Sequence, residues 1–461
     1  MISTVEKKLI ISNPDELFFG LAPKPVKCQR GFEIGNGVVY PEINFTLPQI
    51  IINESTWKEV KSIYTEIIGE VCKRAIELKT PALVVEFELL PPMTMNPEWG
   101  AEITKILSEN LDVFYKKSGL KSALRVTPVD IRDTNRPPLM RSGELTVNMF
   151  RSFELCAQAG ADMLSIESTG GKEVHDDALV NADLSGIIFS LGILAVKDMQ
   201  YLWERVVDIS KNHNVIPAGD TGCAFANTAM ILADKGMIPK TLAAVIRVAT
   251  VVRSLQAYLA GAIGPSKDCA YEGPYIKAIT GIPISMEGKT SACAHLSYLG
   301  NIASAAADLW SNESVQNVKL LSAYAPVVSL EQLIYDCRLM NLALKNGNEF
   351  TLKYRNLMVE SDAGLDPQAY ILKPEIIISL SQKIIQEDSP YKMTLCAVDE
   401  TLKLLRDASD KKEIKLNEME LRWLDILSMQ FDEIPGDEIN LIKKMKNGIY
   451  ADKFLPAEYD I

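Results

Sequence analysis

The chain has 461 residues, a formal net charge of −12, 47% hydrophobic and 23% charged residues. This is the composition of a globular protein with a large core. The acidic balance argues against nucleic acid and anionic membrane surfaces as partners, because both attract basic proteins. Residues 1–20 carry Glu6, Lys7, Lys8, Asp15 and Glu16 and lack the apolar run of a secretory signal. No stretch reads as a membrane span: the longest uncharged one, 290–307, is rich in Ser, Thr, Asn, Gly and Ala. A cytoplasmic location is therefore expected. There the eight cysteines, none in a CxxC pair, serve as free thiols or metal ligands rather than disulfides. Only three histidines, His175, His213 and His295, are available to a His-based centre.

In chain order, residues 1–54 hold five prolines and short strand-like pieces such as 38–45. A helix follows, opened by a capping box of Thr56 and Glu59, with Val60, Ile63, Tyr64, Ile67, Ile68, Val71, Cys72, Ala75 and Ile76 along one face. Cys72 is expected in the core. Strand and helix patterns then alternate. Strands are expected over 83–89, 123–129, 163–168, 186–192, 215–218, 264–269 and 284–288. Helices are expected over 98–117, 146–159, 196–212, 227–235, 241–260 and 290–310. Such alternation implies a parallel sheet, and about eight units between residues 60 and 320 fit a (β/α)8 TIM barrel better than an open sheet. From about residue 325 the pattern is helical: 330–345, 375–386, 393–408, 418–430 and 438–447. The expected organisation is an N-terminal extension (1–54), an α/β catalytic barrel (55–325) and a C-terminal helical region packed on it (326–461).

Two cysteines occupy matching places. Cys223 ends Ala218-Gly219-Asp220-Thr221-Gly222-Cys223, and Cys269 ends Gly264-Pro265-Ser266-Lys267-Asp268-Cys269. Glu167 follows a third strand-like run and precedes Gly170-Gly171. In a barrel, the C-terminal strand ends build the active site. Each cysteine alone reads equally well as a packed thiol. Glu167 reads also as a partner of Lys172 or an arginine, or as a general base. Together the three would give Cys2Glu zinc ligation with one tetrahedral position open, the arrangement of catalytic rather than structural zinc. A set using Cys293 and His295 is second choice, because residues two apart on a helix point to different sides. Asp220 and Asp268, beside the cysteines, are candidates to orient a ligand or manage a proton. Gly288-Lys289-Thr290 fails as a phosphate loop because Pro283 stands where glycine is needed, and Gly35-Asn36-Gly37 fails because Tyr40 ends the pattern. No GxSxG elbow occurs. Asp130, Arg132, Arg136 and Arg141 read as a solvated, salt-bridged loop.

At these residues the chain resembles the zinc subunit of methanol:corrinoid methyltransferases. The likeness runs through Tyr40-Pro41-Glu42-Ile43-Asn44, Asn96-Pro97-Glu98-Trp99-Gly100, Ser165-Ile166-Glu167-Ser168-Thr169-Gly170-Gly171, both cysteine strings, Met286-Glu287-Gly288-Lys289, Trp310-Ser311-Asn312-Glu313-Ser314 and Asp366-Pro367-Gln368-Ala369-Tyr370. The resemblance implies a (β/α)8 barrel with zinc on Glu167, Cys223 and Cys269. It implies transfer of the methyl group of methanol to the Co(I) corrinoid (cobalamin) of a partner corrinoid protein, and a homodimer within a larger complex. Zinc would act as a Lewis acid on the methanol oxygen. Zinc lowers the pKa of a bound water from about 15.7 to about 7, and a shift of about nine units corresponds to about 12 kcal/mol of help to a leaving oxygen. Thiolate and carboxylate ligands make the real gain smaller. Alternatives are a zinc methyltransferase for methanethiol or a methoxy compound, a zinc hydrolase, or a scaffold with structural zinc.

Overall fold

The computed structural model describes residues 6–46, 50–269, 271–288, 298–315 and 319–461. It begins with an antiparallel hairpin, β1 (Leu21–Cys28) and β2 (Phe32–Asn36). Seven parallel strands follow: β3 (Tyr40–Thr46), β4 (Leu83–Glu88), β5 (Ser122–Thr127), β6 (Met163–Ile166), β7 (Ile216–Asp220), β8 (Ser285–Glu287) and β9 (Leu309–Val315). Their spatial order is β7-β6-β5-β4-β3-β9-β8. The pairing of β3 with β9 joins the first strand of the series to the last. The gap between β7 and β8 is bridged by residues 263–266. Ile263 and Gly264 donate to Pro217 and Ala218 of β7 (2.9 Å each), and Ser266 donates to Pro283 (3.3 Å). This irregular segment takes the eighth place of a TIM-like barrel.

The helices between strands form the outer layer because each turns one apolar stripe inward. In Trp57–Glu77 the buried residues include Val60, Tyr64, Ile67, Ile68, Val71, Cys72 and Ala75, the face set by its sequence spacing. Its expected capping box does not form. Thr56 makes no side-chain cap; its hydroxyl donates to Ile51 O (2.5 Å) and accepts from Asn53 N (3.1 Å). Lys240–Ala260 is long and apolar enough to cross a membrane by composition, but its apolar window is 89% buried inside the protein. It is a core helix, packed against Ala195–His213 and Pro390–Asp410. The hairpin β1–β2 seals the N-terminal end of the barrel. Cys28, Phe32 and Ile34 pack there with Val84, Ala123, Met163, Ala218 and Leu309, at the starts of the strands. The opposite, C-terminal end is left for a site.

Several expected elements differ. The strand at 38–45 is β3, a full member of the barrel, so the barrel begins before residue 55. Residues 186–192 are helical, within Leu184–Phe189 and the π-turn Ser190–Leu194; every residue there is buried, so neither helical nor strand period shows. Residues 264–269 form no regular strand, as befits a stretch where Pro265 has no N–H for a ladder. Trp310 lies in β9 rather than in a helix. Beyond residue 325 the described structure is helical, as expected, with Asn348–Asp362 an additional helix. The first of these helices, Ala325–Lys345, lies against β3 and β9.

Candidate metal centre

The middle of the barrel is polar. Arg125 of β5, fully buried, donates to Glu42 of β3 (2.7 Å), Ser165 of β6 (2.8 Å) and the carbonyl of Pro265 (3.1 Å). Ser285 of β8 donates to the other oxygen of Glu42. A buried ion pair of this kind depends on further partners for its remaining polar atoms; here β6, β8 and the eighth segment supply them, while Arg125 Nη2 has no partner among the described residues. Above this layer, at the C-terminal strand ends, stand the residues singled out by the sequence.

Glu167 follows β6, Cys223 follows β7, and Cys269 follows the irregular eighth segment. The structure brings all three together: one donor atom from each lies within 4.8 Å of the other two. Cys269 Sγ donates to Glu167 Oε1 at 3.1 Å. Cys223 is the first residue of the helix Cys223–Asp234, at the positive end of its dipole. One turn along that helix, Asn227 Nδ2 donates to Cys223 Sγ at 3.1 Å. Gly222, just before, sits where an added Cβ would meet Thr250 at 2.7 Å. Its N–H donates to Glu272 Oε1 (2.6 Å), which also accepts from Ser254 (2.8 Å).

The loop carrying Glu167 is gripped by two buried carboxylates. Asp220 accepts from Ser168 N (3.2 Å), Thr221 N (2.7 Å), Trp203 Nε1 (3.0 Å) and Arg253 Nη2 (3.1 Å). Asp130 accepts from Thr169 N (2.9 Å) and from Arg132, which also forks onto both oxygens of Asp198 (2.8 and 2.9 Å). Burial works against charge on Asp130, but Arg132 holds its carboxyl below the usual range. The expected solvated loop is thus, at Asp130 and Arg132, a buried ion-pair cluster; only Arg136 and Arg141 make the outward pairs of a surface loop. Gly170 is needed beside it, since an added Cβ would meet Asp198 at 2.4 Å.

Asp268 faces the other way along the site. It accepts from Cys269 N (3.0 Å), Lys267 Nζ (2.5 Å) and Ser311 Oγ (2.9 Å), and lies 3.5 Å from Cys269 Sγ. Burial opposes its charge, yet Lys267 and Ser311 hold its carboxyl down at about 2. Lys267 was not among the expected site residues, nor were Asn227, Glu272 and Arg253. Asn227 was within reach of sequence reasoning, since i and i+4 share a helix face; Lys267 stands inside the string that ends in Cys269. The alternative pair Cys293 and His295 lies outside the described residues. Lys172, a suggested partner of Glu167, instead pairs with Asp176.

The donor set has the chemistry of a cation site. Burial raises the Glu167 carboxyl above its ordinary range although Lys267 pulls it down. The neighbouring Cys223 sulfur, and then burial, push the Cys269 thiol well up. Two sulfurs and a carboxylate crowded this closely repel one another when ionised, and a divalent ion removes that repulsion. Two thiolates and one carboxylate suit a borderline-soft ion such as zinc. Three donors leave one tetrahedral position for a small molecule. Without a metal, a Glu–Cys pair alone would offer general-base or nucleophile chemistry.

Comparison with known proteins agrees with this architecture. A sequence profile described as methanol-cobalamin methyltransferase B subunit matches residues 4–460. The chain is 39% identical over 431 residues, 92% of each protein, to a methanol–corrinoid protein co-methyltransferase of Methanosarcina barkeri (strain Fusaro / DSM 804). It superposes on a chain in the crystal structure of a methanol:cobalamin methyltransferase complex from Methanosarcina barkeri with a TM-score of 0.93 and 35% identity, over 100% of both chains. The chain therefore belongs to the methanol–cobalamin methyltransferase B-subunit family and is a methyltransferase.

Proposed function

We propose that this protein moves the methyl group of methanol to the Co(I) corrinoid of a separate corrinoid protein, at a zinc centre held by Glu167, Cys223 and Cys269. The observation that carries this reading is the convergence of those three donors, within 4.8 Å, at the mouth of the barrel. When bound there, zinc supplies Lewis-acid polarisation of the methanol oxygen, offsetting the poor leaving ability of hydroxide. In the reaction the C–O bond breaks and cobalt's electron pair forms the new bond to carbon. The departing oxygen takes a proton and leaves as water.

The chain's own residues do the rest. Asp220 and Asp130 fix the backbone after Glu167, so the loop that carries the carboxylate is set before substrate arrives. Asn227, one turn along the helix, orients the Cys223 sulfur through its Nδ2 hydrogen bond. Asp268 ties the Cys269 backbone to Ser311 of β9. Its low pKa suits it to orienting groups rather than to giving up a proton near neutral pH. The proposal also includes a cytoplasmic location, a homodimer and docking of the corrinoid protein; the docking is supported by the complex named for the relative of known structure.

Replacing Cys223 or Cys269 by alanine tests the centre: each variant is expected to lose bound zinc and methanol-dependent methylation of cob(I)alamin together. Wild-type zinc content and turnover in both variants would refute the ligand assignment. Turnover by the wild type without any corrinoid acceptor would favour the hydrolase alternative.

A further inference from the structure

Lys267 is fully buried, and its ammonium lies among four carboxylates. Nζ is 2.5 Å from Asp268 Oδ1, 2.6 Å from Glu88 Oε1, 3.0 Å from Glu86 Oε1 and 3.3 Å from Glu167 Oε1. Glu86, Glu88 and Asp268 are themselves grouped closely enough to hold a cation, and the ammonium already fills that place. Glu86 is in turn held by Thr127 of β5 (2.7 Å).

We propose that Lys267 is a positioning residue for the metal centre: its ammonium holds the Glu167 carboxylate in place against repulsion from Glu88 and Asp268. The inference rests on the zinc reading above. One residue, Asp268, separates Lys267 from Cys269, so one short segment presents both a sulfur donor and the group that grips the carboxylate donor after another strand. Glu167 needs such a grip. Its side chain retains 30% exposure, the least enclosed of this cluster, and the fixed points of its loop, Ser168 and Thr169, are backbone groups beyond it. A compact ammonium with three donors suits carboxylates that converge on one point. A neutral residue here leaves Glu86, Glu88 and Asp268 crowded together without their shared cation and Glu167 free to turn away from the sulfurs.

The test uses full-length protein, with zinc affinity measured by competition with a chromophoric chelator and the ligand shell read by X-ray absorption at the zinc edge. Wild-type protein that binds no zinc, or binds it without sulfur, defeats the zinc reading itself and with it this inference. If wild-type zinc carries two sulfurs, the variants decide the role of Lys267 alone. Lys267→Met and Lys267→Gln are expected to bind zinc at least tenfold more weakly, in the range for residues that orient metal ligands, with two sulfurs kept and the oxygen shell altered. A merely structural lysine would lower thermal stability and leave the zinc-edge spectrum unchanged. A folded variant with wild-type zinc affinity and spectrum overturns the proposal. Should neither variant fold, a crystal structure of the zinc-loaded wild type decides: Lys267 Nζ within hydrogen-bond reach of Glu167 supports it, and separation of the two overturns it.

Discussion

At the scale of single residues, the proposed zinc centre depends on Glu167 offering a charged oxygen beside two sulfurs. Glu167→Gln keeps the shape and removes the charge. It is expected to lower both zinc affinity and methanol-dependent turnover by roughly tenfold or more. Unchanged zinc affinity with lost turnover would make Glu167 a base rather than a ligand. These three residues were legible in the sequence because their surroundings are alike: the two cysteines each follow an apolar run and a turn with glycine, and Glu167 ends an apolar run just before Gly170-Gly171. The residues that hold them were less legible. Lys267 and Glu272 act on partners 100 and 50 positions away in the chain (Glu167 and Gly222), and no local period marks such pairs. Asn227 was the exception, one helical turn from Cys223.

At the scale of elements, the loop after β6 is pinned by groups from β7, from the loop after β5 and from the helix Lys240–Ala260. Arg253 of that helix is fully buried and donates to both Ser168 and Asp220. Arg253→Met leaves Asp220 buried without its cation, a change that costs about 3–5 kcal/mol in comparable buried pairs. Urea unfolding should show a loss of that order, and zinc affinity should fall with it as the Glu167 loop loosens. A loss below about 0.5 kcal/mol, as for an ordinary surface change, would show that Arg253 does not hold the loop. The sequence pattern located β4 to β7 and most helices to within a few residues, since their apolar spacing follows the helix or strand period. It failed where burial is complete on all sides, at 186–192, and where the barrel closes irregularly, at 264–269. It also placed β3 in an extension, because the strand carries Pro41 and polar Glu42 and Asn44; those two polar residues point into a barrel whose middle layer is itself charged.

At the scale of the whole molecule, the C-terminal helices are tied to the barrel through specific polar contacts as well as through packing. Glu420 accepts from the backbone N–H groups of Lys240 and Thr241 (2.9 Å each), capping the buried helix from a distant part of the chain. Glu420→Ala is expected to cost about 1–2 kcal/mol, read as a lower unfolding midpoint; an unchanged midpoint would remove the cap from the account. Acid should also act through the site. The Asp268 carboxyl is held at about 2, below the ordinary aspartate value of about 3.9. A depressed carboxyl adds stability that is fully present above its unfolded pKa and is lost as pH falls through its folded one, here from about pH 4 toward about 2. In zinc-free protein, Ser311→Ala removes one donor and raises the folded pKa, so this loss should still begin near pH 4 but be smaller and finish at higher pH than in wild type; superimposable curves of unfolding free energy against pH would contradict it. Fold, proposed zinc centre and family meet in one reaction, tested most directly by conversion of cob(I)alamin to methylcobalamin by the purified protein, with and without methanol, chelator and restored zinc. Methylation is expected to need methanol, to stop with the chelator and to return with zinc. Methylation that is indifferent to the chelator, or absent with methanol and zinc both supplied, would contradict it.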